Sequence, residues 1–138
     1  MNQVEKIQLN GECFAIIIYH DYAKDGVAFF TPNDFSQQLG YMKHKKGDII
    51  PEHVHNLQIR EIQYTQETLV VKRGRLRVDL YTNDRNHLTS RELTAGDVIL
   101  LASGGHGFEF LEETEMIEIK QGPYCGDQDK IRFNGEKP

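Results

Sequence analysis

The chain has 138 residues, with sixteen Lys or Arg against twenty-one Asp or Glu and a net charge of -5. That length makes one domain with room for a sizeable core, so folding needs no disulfide support. Apart from Lys43, Lys45 and Lys46, read as a solvated loop, the basic residues are scattered, which argues against nucleic acid as a partner because phosphate binding needs a concentrated positive face.

The opening Met1 to Lys6 is polar, and the longest apolar run near it, Phe14 to Ile18, is far too short to span a bilayer. The expectation is a cytoplasmic protein with no membrane partner. Cys13 and Cys125 lie 112 positions apart with no CxxC pattern, and both read as ordinary thiols.

From there the apolar pattern is that of strands. Phe14 to Tyr19 is a β-branched run, Val27 to Thr31 is a second that ends at Pro32-Asn33-Asp34, and Leu39 to Met42 is a third. Ser36 to Leu39 has room for one helical turn before Gly40. After Gly74 the alternation is clear: Leu76, Val78 and Leu80 share one face, and Arg75, Arg77 and Asp79 the other. Thr82 to His87 is a polar hairpin loop, Leu88 to Leu93 returns, and Ala95-Gly96-Asp97 turns the chain. Val98 to Leu101, His106 to Leu111 and Met116 to Lys120 complete nine or ten short strands, and Ile131 to Phe133 is a last strand or a clasp. Short strands at this spacing predict an all-β barrel or sandwich.

Chemistry concentrates between Pro51 and Gly74. In a strand, residues two apart share a face, so His53 and His55 can aim both imidazoles at one point. Glu67 opens an apolar strand, where an ionised carboxylate is costly without a cation or hydrogen-bonding partner. His106 begins a later alternating run, with Phe108 and Phe110 beneath it as an aromatic floor. Imidazoles suit Zn, Cu, Fe and Ni, and a carboxylate extends the choice toward Mn. His20 and His87 read as solvent-exposed, and His44 as a surface residue. Tyr41, Arg60 and Tyr64 are candidates for hydrogen bonds or an anion clamp at a cavity mouth.

These residues resemble the cupin family. Gly47, five residues, His53-Val-His55, then Glu67, six residues and Gly74 are similar to its first motif, G-x5-H-x-H-x3/4-E-x6-G. Gly96, Gly104 and His106 echo its second, roughly G-x5-P-x-G-x2-H-x3-N. The resemblance implies a single domain over residues 1–138 folded as a double-stranded β-helix, or jelly-roll cupin barrel. Its barrel region would cover about 38–120, with strands 12–31 and the tail 121–138 packed on it. It also implies one divalent transition metal (Fe, Mn, Ni, Zn or Cu) held by His53, His55, Glu67 and His106. A small-molecule ligand and a homodimer, paired through Phe14 to Tyr19 or Val27 to Phe30, complete the expectation.

The sequence departs from the pattern in three ways. Eleven residues separate His55 from Glu67 where the motif has three or four, which makes Glu61 a rival carboxylate and suggests a longer loop at the barrel mouth. Ala102 stands in place of the second motif's proline. His106 comes one position early, a slip that Gly104-Gly105 can absorb as a tight turn or bulge. Arg60, Glu61, Tyr64 and Phe108 are the candidates for contact with a substrate. The functional expectation is a metal-binding protein that acts on or senses an organic acid or sugar derivative, as an oxygenase or isomerase if it is an enzyme. The alternatives are a non-catalytic binding module and a metal-free isomerase in which His and Glu serve as acid and base.

Overall fold

The structure, a computed structural model, describes residues 3–138. Ten strands, all in antiparallel sheets, make the described chain all-β: β1 (Val4–Leu9), β2 (Glu12–Ile18), β3 (Gly26–Phe29), β4 (Gly40–Lys43), β5 (Glu67–Arg73), β6 (Arg75–Tyr81), β7 (His87–Thr94), β8 (Val98–Leu101), β9 (Gly105–Phe110) and β10 (Glu115–Lys120). A five-stranded sheet runs β1-β2-β8-β5-β10, a three-stranded sheet runs β7-β6-β9, and β3 pairs with β4 in a separate ribbon. Among the described residues no helix is long and apolar enough to cross a membrane. The only helical turn among the described residues is the short 3-10 element Gly126–Asp129, and Ser36 to Leu39 forms bends instead.

The two larger sheets face one another through one shared core. Ala15, Ile17, Leu69, Val71, Ile99 and Leu101 come from the five-stranded sheet, and Leu76, Val78, Leu80 and Leu93 from the three-stranded one. Each such Val, Leu or Ile side chain contributes about 1.5–3 kcal/mol when enclosed. The period-two reading of β6 holds on its inner face. On its outer face Asp79 is buried rather than solvated: Arg77 grips both carboxylate oxygens at 2.8 and 3.0 Å, and Ser90 Oγ donates at 2.6 Å. These bonds, Arg77's foremost, hold the Asp79 carboxyl below its ordinary range against the opposing effect of burial.

β2 is an interior strand between β1 and β8, so Phe14 to Tyr19 offers no free edge for pairing subunits. Its outward residues Phe14 and Ile16 are buried nonetheless. The segment before β4 is tied to this sheet, where Gln37 accepts from Thr68 Oγ1 at 2.7 Å and donates to the Ile119 carbonyl at 3.3 Å. β1, which the polar opening did not suggest, closes the far edge of the sheet. Cys13 and Cys125 are free thiols.

The connection from β4 to β5 has no strand anywhere in residues 44–66, where His53 and His55 were expected to lie on one. At the other end of the chain the tail acts as a clasp rather than a strand. Phe133 stacks edge-on to Tyr81 at 5.2 Å, and the Tyr81 hydroxyl donates to the Glu136 carbonyl at 2.7 Å.

Candidate functional site

β5 and β9 lie in different sheets and meet at one end of the sandwich. Glu67 opens β5 and pairs in register with Leu101 and Lys120. On β9, His106, Phe108 and Phe110 lie opposite Leu80, Val78 and Leu76 of β6, the strand's inward-facing residues. The one-residue slip of His106 is absorbed before the strand begins. Gly104 has φ +71°, and an added Cβ there would lie 2.2 Å from the Tyr81 carbonyl, so only glycine fits and the next residues emerge with His106 facing inward. Gly74, the last residue of the first motif, has φ +96° and equally little room beside the Glu113 carbonyl.

His106 Nε2 lies 3.3 Å from Glu67 Oε2. The His106 contact lowers the pKa of Glu67, while burial pulls the other way. The tilted ring of Phe108 lies 5.6 Å from that of His106. The pair faces a cavity of about 750 Å³ whose mouth includes Tyr64. The same cavity is lined by Arg85, Lys120, Lys130, Arg132 and Lys137, five cations against the carboxylates of Glu67 and Asp129. Arg85 lies over Phe133 at 5.5 Å and Lys120 over Tyr124 at 5.3 Å, so aromatic faces hold two of these cations.

Four of the expected residues therefore line one cavity: Glu67, His106, Tyr64 and Phe108. The other four are elsewhere. His53, His55, Arg60 and Glu61 are exposed in the 44–66 segment. The two imidazoles do share a side, with ring centroids 5.2 Å apart, and His53 Nδ1 lies 2.9 Å from the Pro51 carbonyl. Among the described residues no three His, Cys, Asp or Glu side chains are grouped closely enough to hold a metal ion. The four expected donors thus stand as two separate pairs, His53 with His55 and Glu67 with His106.

Histidines read as surface residues have defined partners. His20 is half-exposed, but its backbone N–H and Nδ1 reach buried Asp97 at 2.8 and 3.0 Å. His87 Nε2 lies 2.8 Å from Ser90 Oγ. Tyr41 packs on Tyr22 at 4.9 Å, away from the cavity lining. The sequence reading missed the cationic wall because its members are scattered in the chain and come together only through the clasp. The basic residues flanking Phe133 were the one available signal.

No family model, curated protein or solved structure matches the chain.

Proposed function

We propose that this chain is a cupin-type, jelly-roll protein that binds a small anionic molecule, an organic acid or a sugar derivative carrying a carboxylate or phosphate, in the cavity between its two sheets. The observation that carries the reading is the Glu67–His106 pair at the inner end of a cavity walled by five cations. The cations offer charge-assisted hydrogen bonds to an anionic end, while Phe108 and Tyr64 offer apolar surface to the rest of the ligand.

Glu67 and His106 are placed to handle a proton next to that ligand. A carboxylate held ionised by a neighbouring imidazole accepts a proton, and the imidazole donates or receives one at Nε2. Such a pair suits isomerisation beside a carbonyl, and equally suits recognition without turnover. A second reading, a metal-dependent cupin, is favoured by the paired His53 and His55 rings, which stand ready as two more donors. A divalent metal bound by these four residues would supply Lewis-acid chemistry at the ligand's oxygen atoms.

Calorimetric titration with sugar phosphates, dicarboxylic acids and their neutral counterparts tests the proposal. Binding is expected for anionic compounds and should weaken at least tenfold in Lys130→Ala/Arg132→Ala. Equal binding of neutral and anionic compounds would overturn it.

A further inference from the structure

The 44–66 segment has the pattern of a strand but no strand to pair with. Its odd positions read Ile49, Pro51, His53, His55, Leu57 and Ile59, an apolar-and-imidazole face, and the even ones read Ile50, Glu52, Val54, Asn56, Gln58 and Arg60, a mixed face that turns polar after Val54. Yet Leu57 is 100% and Ile59 98% exposed. Hydrogen bonds at Lys45, Asp48 and His53 stay inside the segment. The β3–β4 ribbon from which it springs is also bare, with Val27, Phe29 and Met42 exposed. Ten of the sixteen exposed large hydrophobic residues of the described chain fall between Val27 and Tyr64. Apolar surface on this scale marks an interaction site.

The body offers the complementary feature. β9 is the outer strand of the three-stranded sheet and β10 the outer strand of the five-stranded one, so two edges lie open beside the cavity. Phe110, Ile117 and Ile119 on these strands are also exposed. Edge strands with apolar residues are templates for strand addition.

We propose that residues 49–59 of one copy add as a strand to the open β9 edge of a second copy, and that this exchange is reciprocal. Each cavity then receives His53 and His55 from the other chain, opposite its own Glu67 and His106. The chemistry fixes the direction. His106 and Phe110 stand at opposite ends of β9, so seating imidazoles by imidazole and Ile49 by Phe110 requires the antiparallel orientation. A second copy is the occupant because the segment and the edge complement one another within one sequence, imidazole beside His106 and aliphatic side chain beside Phe110, while the described chain leaves Leu57 and Ile59 exposed. Reciprocal exchange covers the β9 edge of each copy in a closed two-fold arrangement and leaves no apolar arm over. The assignment of the imidazoles to the cavity rests on the functional reading above, whereas the strand exchange does not.

A disulfide trap tests the exchange without any metal. In an antiparallel pair, facing Cα atoms are about 4.5–5.5 Å apart, within disulfide reach. The full chain carrying C13S/C125S/H53C/H106C, oxidised in chelator, is expected to run as a covalent dimer on a non-reducing gel. A monomer band, with its thiols either blocked by an internal disulfide or still free, would overturn the exchange. Because that chain lacks two of the imidazoles, light scattering on the wild-type chain in chelator accompanies it, with a dimer expected and a monomer overturning the proposal. A trapped dimer whose wild-type form takes up no Co2+ would support the exchange and overturn only the metal reading.

Discussion

The two-sheet body and the 44–66 segment are built from the same kind of residues and have opposite fates. Ile16, Ile17, Ile99 and Leu100 are wholly enclosed, while Leu57 and Ile59, just as apolar, are open to solvent. In the body strand parity sets which side chains share a face, whereas in the segment a strand-like alternation is written in the sequence and no strand forms. Only in the body does each apolar face also have an opposing face. The difference teaches that alternation specifies a face and leaves the partner to topology. In this chain the same division runs through the site, with Glu67 and His106 on the body and His53 and His55 on the arm.

Substitutions can break this comparison. The largest effect is expected in the body: Ile99→Ala should cost about 2–5 kcal/mol in urea unfolding, through lost burial and the cavity left behind. A change below about 1 kcal/mol would mean that the two sheets are not packed as described. On the arm, Leu57→Ala should leave unfolding of the isolated chain unchanged, while loosening the dimer by about 1.5–3 kcal/mol if the side chain is enclosed there. Sedimentation at several concentrations separates these outcomes. No change in association would leave the arm without its proposed contact.

Gly104→Ala comes next, with an expected loss of at least about 1 kcal/mol, because alanine at φ +71° is strained and its Cβ meets the Tyr81 carbonyl. The shift in the His106 resonances by NMR should exceed that at His20, and equal shifts would argue against this turn as the device that aims His106.

A broader, shallower effect concerns pH. Hydrogen bonds from Arg91 on Glu5, from His106 on Glu67 and from Arg77 on Asp79 each lower the carboxylate's pKa. Such groups stabilise the fold fully above their unfolded pKa of about 4, and that stability is lost as pH falls through the lower folded values. Urea midpoints should therefore be level from pH 7 to 5 and decline below about pH 4. A flat profile down to pH 2 would contradict the pairings. The smallest effect is expected on the rim, where Lys130→Ala should change stability by under about 0.5 kcal/mol and register only in anion affinity.

Much of this architecture was legible in the sequence. The inward set Leu76, Val78 and Leu80 follows from period-two alternation, and Glu67 follows from its interval to Gly74. β1 was hidden by Glu5, Lys6 and Gln8, although Asn10-Gly11, with φ of 51° and 81°, is the dipeptide that favours a two-residue hairpin turn and marks it. The burial of Asp79 could not be read from alternation, because a charge on the outer face of a sheet looks the same whether or not an arginine and a serine cover it. The cationic wall was illegible for a related reason. Arg85, Lys120 and Lys137 are far apart in the chain, and the contacts of Phe133 and Glu136 with Tyr81 gather them.

The central claim is that the two halves of the site meet across two chains, and Co2+ binding to mixed dimers tests it most directly. His53→Ala/His55→Ala and Glu67→Gln/His106→Ala are each expected to bind no Co2+ alone. A mixed dimer purified through two different tags should bind one Co2+, half the wild-type value, because one of its two cavities then holds all four donors. A mixed dimer that takes up none, beside a wild-type dimer that binds two, would contradict the account.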